Sequence, residues 1–369
     1  MPAGVALEIV QPMTTTAMPP TSPFGAPGAV GWDINQQPVV VAWEVTRACQ
    51  YRCTHCRADA HPHPDPNELD TDESRALIDQ LEAFAGSILV LTGGDPLQRK
   101  DLEVLVAHAR ARGLRVALTP SATPRVTPER LAALKRAGLS QVALSLDSST
   151  AAGHDTMRGL KGSFTRTLAI MATARELGYP LQVNTTITRH NVSQIDAMAE
   201  IVAGTGAVVW SVFFLVPTGR GQRANTLNAH QHEQALRRLA GLWGDTPFRI
   251  KATAAPNFRR VMVQTGHPAG PAAGFANDGK GFMFISCVGD VCPSGFLPLV
   301  AGNVRETSPV DIYRDAPLFT ALRDPAQLTG RCGRCQFRAD CGGSRARAYA
   351  FTGDPLAEDP TCMYQPEGD

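Results

Sequence analysis

The chain lacks any apolar run long enough to cross a bilayer. The longest, "VVWSVFFLV" at 208–216, falls well short of the about 20 residues a membrane helix needs, so no membrane partner is expected. No basic segment leads into an apolar core near Met1, so no secretory signal is expected and the chain is expected to stay in the cytoplasm. An excess of either charge is also missing: 35 Lys and Arg stand against 34 Asp and Glu, for a formal net charge of +1, without a Lys or Arg run. A nucleic-acid backbone finds no electrostatic footprint on such a chain. What is present is an ordinary globular balance, 43% hydrophobic and 19% charged over 369 residues, enough for one large domain or a large and a small one. The nine cysteines are unevenly spread, and in a reducing compartment such grouping points to metal or redox chemistry before disulfides.

Residues 1–36 are rich in Pro, Thr, Gly and Ala and are expected to be largely disordered, with "GWDINQQP" packing on a domain edge. From 37 to 250 six short apolar runs, beginning with "VVVAWEV" and ending with "VVWSVFFLVP", alternate with amphipathic stretches that open on Asp, Ser or Thr and close on Gly. Repeated strand–helix units of this kind form an α/β fold of parallel strands joined by right-handed crossovers, with the active site at the strands' C-terminal ends. Beyond about 250 the alternation is expected to stop. A Pro/Gly/Ala loop, a hairpin in "GFMFISCVGDVCPSGF" and a second cysteine group then make 251–369 a smaller C-terminal domain.

The loop after the first strand reads "CQYRCTHC" and carries Cys49, Cys53 and Cys56. Three thiolates suit a soft metal or an iron–sulfur cluster with one position left for an outside ligand. By spacing alone a zinc site completed by His55, His61 or His63 stays open. The CX3CX2C pattern resembles the signature of the radical S-adenosylmethionine (radical SAM) superfamily. The resemblance implies a partial (β/α)6 TIM-type barrel and a 4Fe-4S cluster on the three cysteines, with S-adenosylmethionine on its open iron. It also implies reductive cleavage to a 5′-deoxyadenosyl radical that abstracts hydrogen from a substrate, and a reducing protein such as flavodoxin or ferredoxin. "TGGDP" at 92–96 stands where the family shows "GGEP" and implies that Gly93, Gly94 and Asp95 contact the cosubstrate, with Asp95 departing from the usual Glu. Ser145 and Arg158 inherit a role at its carboxylate. Ser121, Asn184, Thr186 and Leu215 are further candidates for its ribose or adenine.

The second group runs CX2CX5C through Cys332, Cys335 and Cys341, with Cys362 twenty-one residues on. Spacing alone allows an iron–sulfur site or a structural zinc. The segment resembles the SPASM and twitch auxiliary-cluster domains, although a full SPASM domain has seven cysteines. The resemblance therefore implies one auxiliary 4Fe-4S cluster on Cys332, Cys335, Cys341 and Cys362; Cys287 and Cys292 are expected to be buried structural thiols, with a redox pair or further ligands as the alternatives. Strings such as "VVAWEVTRAC" and "CGGSRARAYAFTGD" resemble the branch acting in alternative heme biosynthesis, which trims side chains of iron porphyrins and sirohemes. A tetrapyrrole substrate, modified oxidatively or by decarboxylation, is the expectation; Arg220, Arg223, Arg259, Arg260, Arg345 and Arg347 are candidate carboxylate receivers. Maturation of a ribosomal peptide or modification of another small natural product is the alternative, and a non-enzymatic iron–sulfur or zinc scaffold the distant one.

Overall fold

The apolar runs become a row of parallel strands: β1 (Val40–Glu44), β2 (Ile88–Thr92), β3 (Arg115–Leu118), β4 (Gln141–Ser145), β5 (Leu181–Ile187) and β6 (Val209–Phe214). Each pairs with the next in sequence. A computed structural model describes residues 32–267 and 276–366. The expected disordered lead-in thus lies outside the described residues except for its last positions. There the Tyr313 hydroxyl donates to Ile34 O (2.6 Å) and Arg314 Nε to Gln36 O (3.0 Å), fastening "INQ" to the C-terminal part of the chain.

The sheet is longer than the sequence led us to expect. A seventh strand, β7 (Arg249–Thr253), adds parallel to β6 and crosses position 250, where the alternation was expected to end. The anticipated hairpin forms from β8 (Phe282–Ile285) and β9 (Asp290–Cys292), and β10 (Gly302–Asn303) follows. β8 pairs in parallel with β1 on the side away from β2, so the C-terminal hairpin continues the barrel sheet. Among the described residues the ten strands run β10-β9-β8-β1 through to β7, and β10 and β7 at the two ends do not pair.

Alternation within the strands decides what each face does. Val41, Trp43, Leu89, Leu91, Val116, Val142 and Val183 point outward into one large core shared with the helices. Several helices begin on side-chain caps, as in the capping box of Asp70 and Glu73 before the helix Thr71–Leu81, or Thr127 before Pro128–Arg136. The inward face carries Ala42, Ala117 and Ala143 among its residues and lines a cavity. In closed barrels of eight strands bulky branched side chains fill that volume; alanines leave it open. Among the described residues no helix is long and apolar enough to cross a membrane.

His232 is buried under β6, its ring 4.6 Å from that of Phe214. Burial, reinforced by Arg347 and Arg260, pushes it from 6.5 down to about 3. It is neutral in the fold and takes up a proton on unfolding, so its contribution is lost as the pH falls from 6.5 towards 3. His232→Leu is expected to flatten the acid side of a stability–pH profile by up to about 1.4 kcal/mol per pH unit in urea titrations. An unchanged slope would refute this.

Candidate active site

The cysteine loop leaves β1 and is held in shape by its own backbone and by neighbours from four other loops. Cys49 N donates to His61 O (2.8 Å), closing the loop's base. Gly94 N and Asp95 N donate to Thr46 O (2.8 Å) and Ala48 O (2.7 Å), so the "GGDP" loop after β2 packs edge-on against it. A Cβ on Gly94 would lie 2.5 Å from both Arg47 O and Ala48 O, and one on Gly93 2.4 Å from Thr46 O; only glycine permits this approach. From the loop after β6, Arg220 donates to Cys53 O (3.0 Å), Ala60 O (2.8 Å) and Asp59 Oδ1 (3.0 Å). Gly219, at φ +56°, passes directly beneath the Cys56 and Arg57 carbonyls.

The three thiols are free, and polar donors surround two of them. Tyr51 N donates to Cys49 Sγ (3.3 Å), and the Ser121 hydroxyl lies 3.5 Å from the same sulfur while donating to Gly94 O at 3.0 Å. Arg158, set at the end of the helix Ala151–Arg158, donates through Nη1 to Cys53 Sγ (3.6 Å). Its Nε sits 2.8 Å from Asp147 Oδ2. Burial pushes the Cys49 and Cys53 thiols up, so each holds its proton until something replaces it. Sulfur ringed by N–H and cationic donors is the environment that stabilises a thiolate ligand.

The other candidates divide into groups facing the interior and groups already engaged. Asp95 is fully buried; Oδ1 accepts from Leu97 N (3.3 Å) and Oδ2 from the Thr123 hydroxyl (2.8 Å), and burial raises its pKa. Its side chain holds its own loop in shape. Ser145, the last residue of β4, stands in register with Asn184 in the middle of β5, and Asn184 lines the cavity. Thr186 N donates to the buried Asp147 (2.8 Å), and Leu215 is buried just past β6. Of the histidines weighed for zinc, His55 lies with Nε2 3.6 Å from Asp147 Oδ2 and is pushed down to about 4 by burial, while His61 and His63 are exposed. Among the described residues no three His, Cys, Asp or Glu side chains converge on one metal ion.

The second cysteine group encloses a small cavity of its own, walled by Cys332, Cys335, Cys341 and Cys362. Backbone amides again address the sulfurs: Phe337 N to Cys335 and Gly343 N to Cys341, each at 3.4 Å, and Asp359 N to Cys332 at 3.4 Å. Arg345 Nη2 donates to Cys332 Sγ (3.6 Å). Cys341, pushed up to about 12 by burial, also lines the barrel cavity, so one residue forms the wall between the two spaces. Cys287 and Cys292 are buried in the hairpin, with Cys292 packed on Ala42 and Phe284.

Five of the six arginines proposed as carboxylate receivers are committed elsewhere. Arg220 braces the cysteine loop, Arg223 donates to the Ala350 and Phe351 carbonyls, and Arg260 pairs with the buried Glu233. Arg345 donates to Pro355 O and Ala357 O, and Arg347 pairs with Asp359. Arg259 alone of the six lines the cavity. Sequence reasoning missed Arg57, Lys251 and Lys280, which line it too. The polar alternation Arg249, Lys251, Thr253 was the available signal for Lys251.

Three comparisons bear on this geometry. Residues 43–202 match the family model described as the Radical SAM superfamily. The chain is similar to the AdoMet-dependent heme synthase of Methanosarcina barkeri, 38% identical over 340 residues, covering 89% of this chain and 97% of that protein. It is 32% identical to the mycofactocin maturase MftC of Mycobacterium ulcerans over 343 residues, 88% of each chain. Among solved structures, Streptococcus suis SuiB bound to S-adenosylmethionine shares the fold, with a TM-score of 0.71 at 14% identity over 89% of this chain and 78% of that one.

Proposed function

The chain belongs to the radical SAM superfamily, and from that premise we propose that it oxidatively modifies, by decarboxylation, the propionate side chains of an iron porphyrin. The enzyme class carries a 4Fe-4S cluster and S-adenosylmethionine, which together supply the 5′-deoxyadenosyl radical that removes a hydrogen atom. Cys49, Cys53 and Cys56 would hold that cluster, their loop fixed by Arg220, Gly219 and the Gly93–Asp95 segment. Ser121, Ser145, Arg158 and Leu215 would line the cosubstrate's berth, with Arg158 available to a carboxylate by exchange with Asp147; Asn184, in the middle of β5, faces the lumen instead. Cys332, Cys335, Cys341 and Cys362 would hold one auxiliary 4Fe-4S cluster. We divide the chain into a barrel (37–250) and an auxiliary-cluster domain (251–369), with β7 shared across that line.

The observation that carries the reading is the shared wall: a lumen reached by Arg57, the residue after Cys56, is bounded on another side by Cys341 of the second thiol group. Turning a propionate into a vinyl group removes one hydrogen atom and CO2 and leaves one electron to be accepted. A redox site bordering the lumen suits that balance, and Ala42, Ala117 and Ala143 on the inward face keep that part of the lumen unfilled for a substrate. A small reducing protein such as flavodoxin or ferredoxin would supply the initiating electron in the cytoplasm.

The test is anaerobic reconstitution with iron and sulfide, followed by dithionite and S-adenosylmethionine, with and without an iron porphyrin propionate. Formation of 5′-deoxyadenosine, CO2 and a vinyl product is expected. The likeness to MftC supports a second reading, modification of a peptide. Product from a precursor peptide and none from the porphyrin would favour it. No cosubstrate cleavage with both clusters intact would overturn the enzymatic reading.

A further inference from the structure

Most of the charged side chains in the lumen are satisfied by protein. Arg57 is bound to Glu44 (3.1 Å) and stacked on Phe284, and Lys280 donates to Ala339 O. Arg259 donates to Asp340 O (2.7 Å), and Asp278 accepts from the Ser294 hydroxyl and Ala346 N. Lys251 is different. It sits in the middle of β7, lines the cavity, and makes no hydrogen bond or ion pair with the described residues. It is half-buried; enclosure lowers its pKa, and neighbouring Arg249 adds to that. An enclosed ammonium without a counter-charge is costly, and an arriving anion relieves the cost.

The neighbours of Lys251 describe the anion. The strand register places Asn184, Ser211 and Lys251 in one row across β5, β6 and β7. Asn184 Oδ1 already accepts from Gln182 Nε2 (2.7 Å), which leaves its NH2 group to donate into the lumen. Ser211 Oγ, 3.0 Å from Thr253 Oγ1, stands between them. An ammonium, an amide N–H and a hydroxyl in a row match an acceptor with two oxygens and one negative charge.

We propose that Lys251, with Asn184 and Ser211 beside it, receives a carboxylate of the substrate inside the barrel. This rests on the reading of the chain as an enzyme acting on a carboxylated tetrapyrrole, and it adds which residues grip that substrate. The anchoring row lies on β5–β7, whereas the cysteine loop leaves β1. A macrocycle held by one propionate on this row would lie across the lumen, with other side chains directed towards the loop.

The experiment compares the reconstituted wild type with Lys251→Met and Lys251→Arg. Binding of an iron porphyrin propionic acid and of its methyl ester is read from the porphyrin absorbance; substrate-free S-adenosylmethionine cleavage and iron content are measured alongside. The wild type should prefer the acid. Lys251→Met should weaken acid binding roughly 30-fold and leave the ester unchanged, while Lys251→Arg retains most of the preference. Cosubstrate cleavage and iron content should stay at wild-type levels in both variants. Equal binding of the acid by wild type and Lys251→Met would overturn the proposal, as would a Lys251→Met defect in the KM for S-adenosylmethionine without a porphyrin effect. If the wild type binds neither porphyrin, the tetrapyrrole reading falls by itself. The anchor is then judged with Glu-containing peptides against their Gln counterparts: a Glu preference lost in Lys251→Met upholds it, and equal binding sinks it.

Discussion

Cys53→Ala should bring S-adenosylmethionine cleavage to background and remove half of the reconstituted iron, whereas Cys335→Ala should lose the other half and still cleave. The asymmetry follows from where each residue sits. Cys53 is buried at 7% exposure in a loop whose neighbours leave it little freedom: Thr54 N donates to Met157 O, and Arg220 holds Cys53 O. The Arg158 guanidinium faces its sulfur. Removing the thiol therefore deletes a ligand without freeing the chain to offer another, and His55, the nearest alternative, is turned to Asp147. Cys335 belongs to a separate cavity behind Cys341, so its loss leaves the cysteine loop untouched. Iron analysis, visible absorbance and 5′-deoxyadenosine formation measured on the same samples decide the matter. Cleavage surviving in Cys53→Ala would show that the first cysteine group is not the reactive site.

The grouping of the cysteines was legible because it is local: Cys49, Cys53 and Cys56 share one loop and Cys332, Cys335 and Cys341 another short stretch, so their clustering needs no tertiary information. The first six strands were legible for a related reason, since apolar runs of strand length between capped helices leave few other folds. β7 was not, because its inward face is polar and its one wholly buried residue is Ile250. The pairing of β8 with β1 was hidden as well: a parallel register between residues some 240 apart depends on the whole barrel having formed. The arginines show the same limit most clearly. Arg220, Arg345 and Arg347 read in sequence as groups free to bind an anion, yet each is consumed by carbonyls or a carboxylate brought near only by the fold. The lysine left over was the one that no motif marked.

Arg347→Met should cost the C-terminal part of the chain about 3–5 kcal/mol, the typical penalty for stripping one partner from a buried ion pair. Arg347 and Asp359 are 1% and 0% exposed. Asp359 accepts from Arg347 Nε (3.1 Å), Ser344 N (2.9 Å) and both Thr361 N and its hydroxyl (3.0 and 2.9 Å). Its own N–H faces Cys332 Sγ at 3.4 Å. Arg347 Nη2 also donates to Ala254 O (2.8 Å), just beyond β7, so the pair ties the second thiol site to the barrel. The arginine, with the surrounding donors, outweighs burial and holds the Asp359 carboxyl well below its usual range. Its stabilisation is complete at neutral pH and is lost only as the pH falls from the ordinary carboxylate range through that depressed value. Methionine leaves the carboxylate charged and without its counter-ion. Auxiliary iron should then be lost, and the midpoint of urea unfolding monitored near Tyr349 and Tyr364 should fall, while cosubstrate cleavage at the cysteine loop persists. Arg347→Met combined with Asp359→Leu separates charge from packing, because removing both members of a buried pair is often near neutral. If the double variant recovers stability over the single one, the unpaired carboxylate was the cause. If both fall equally, the packing of Arg347 and the hydrogen bonds Asp359 accepts account for the loss, and the ion pair does not.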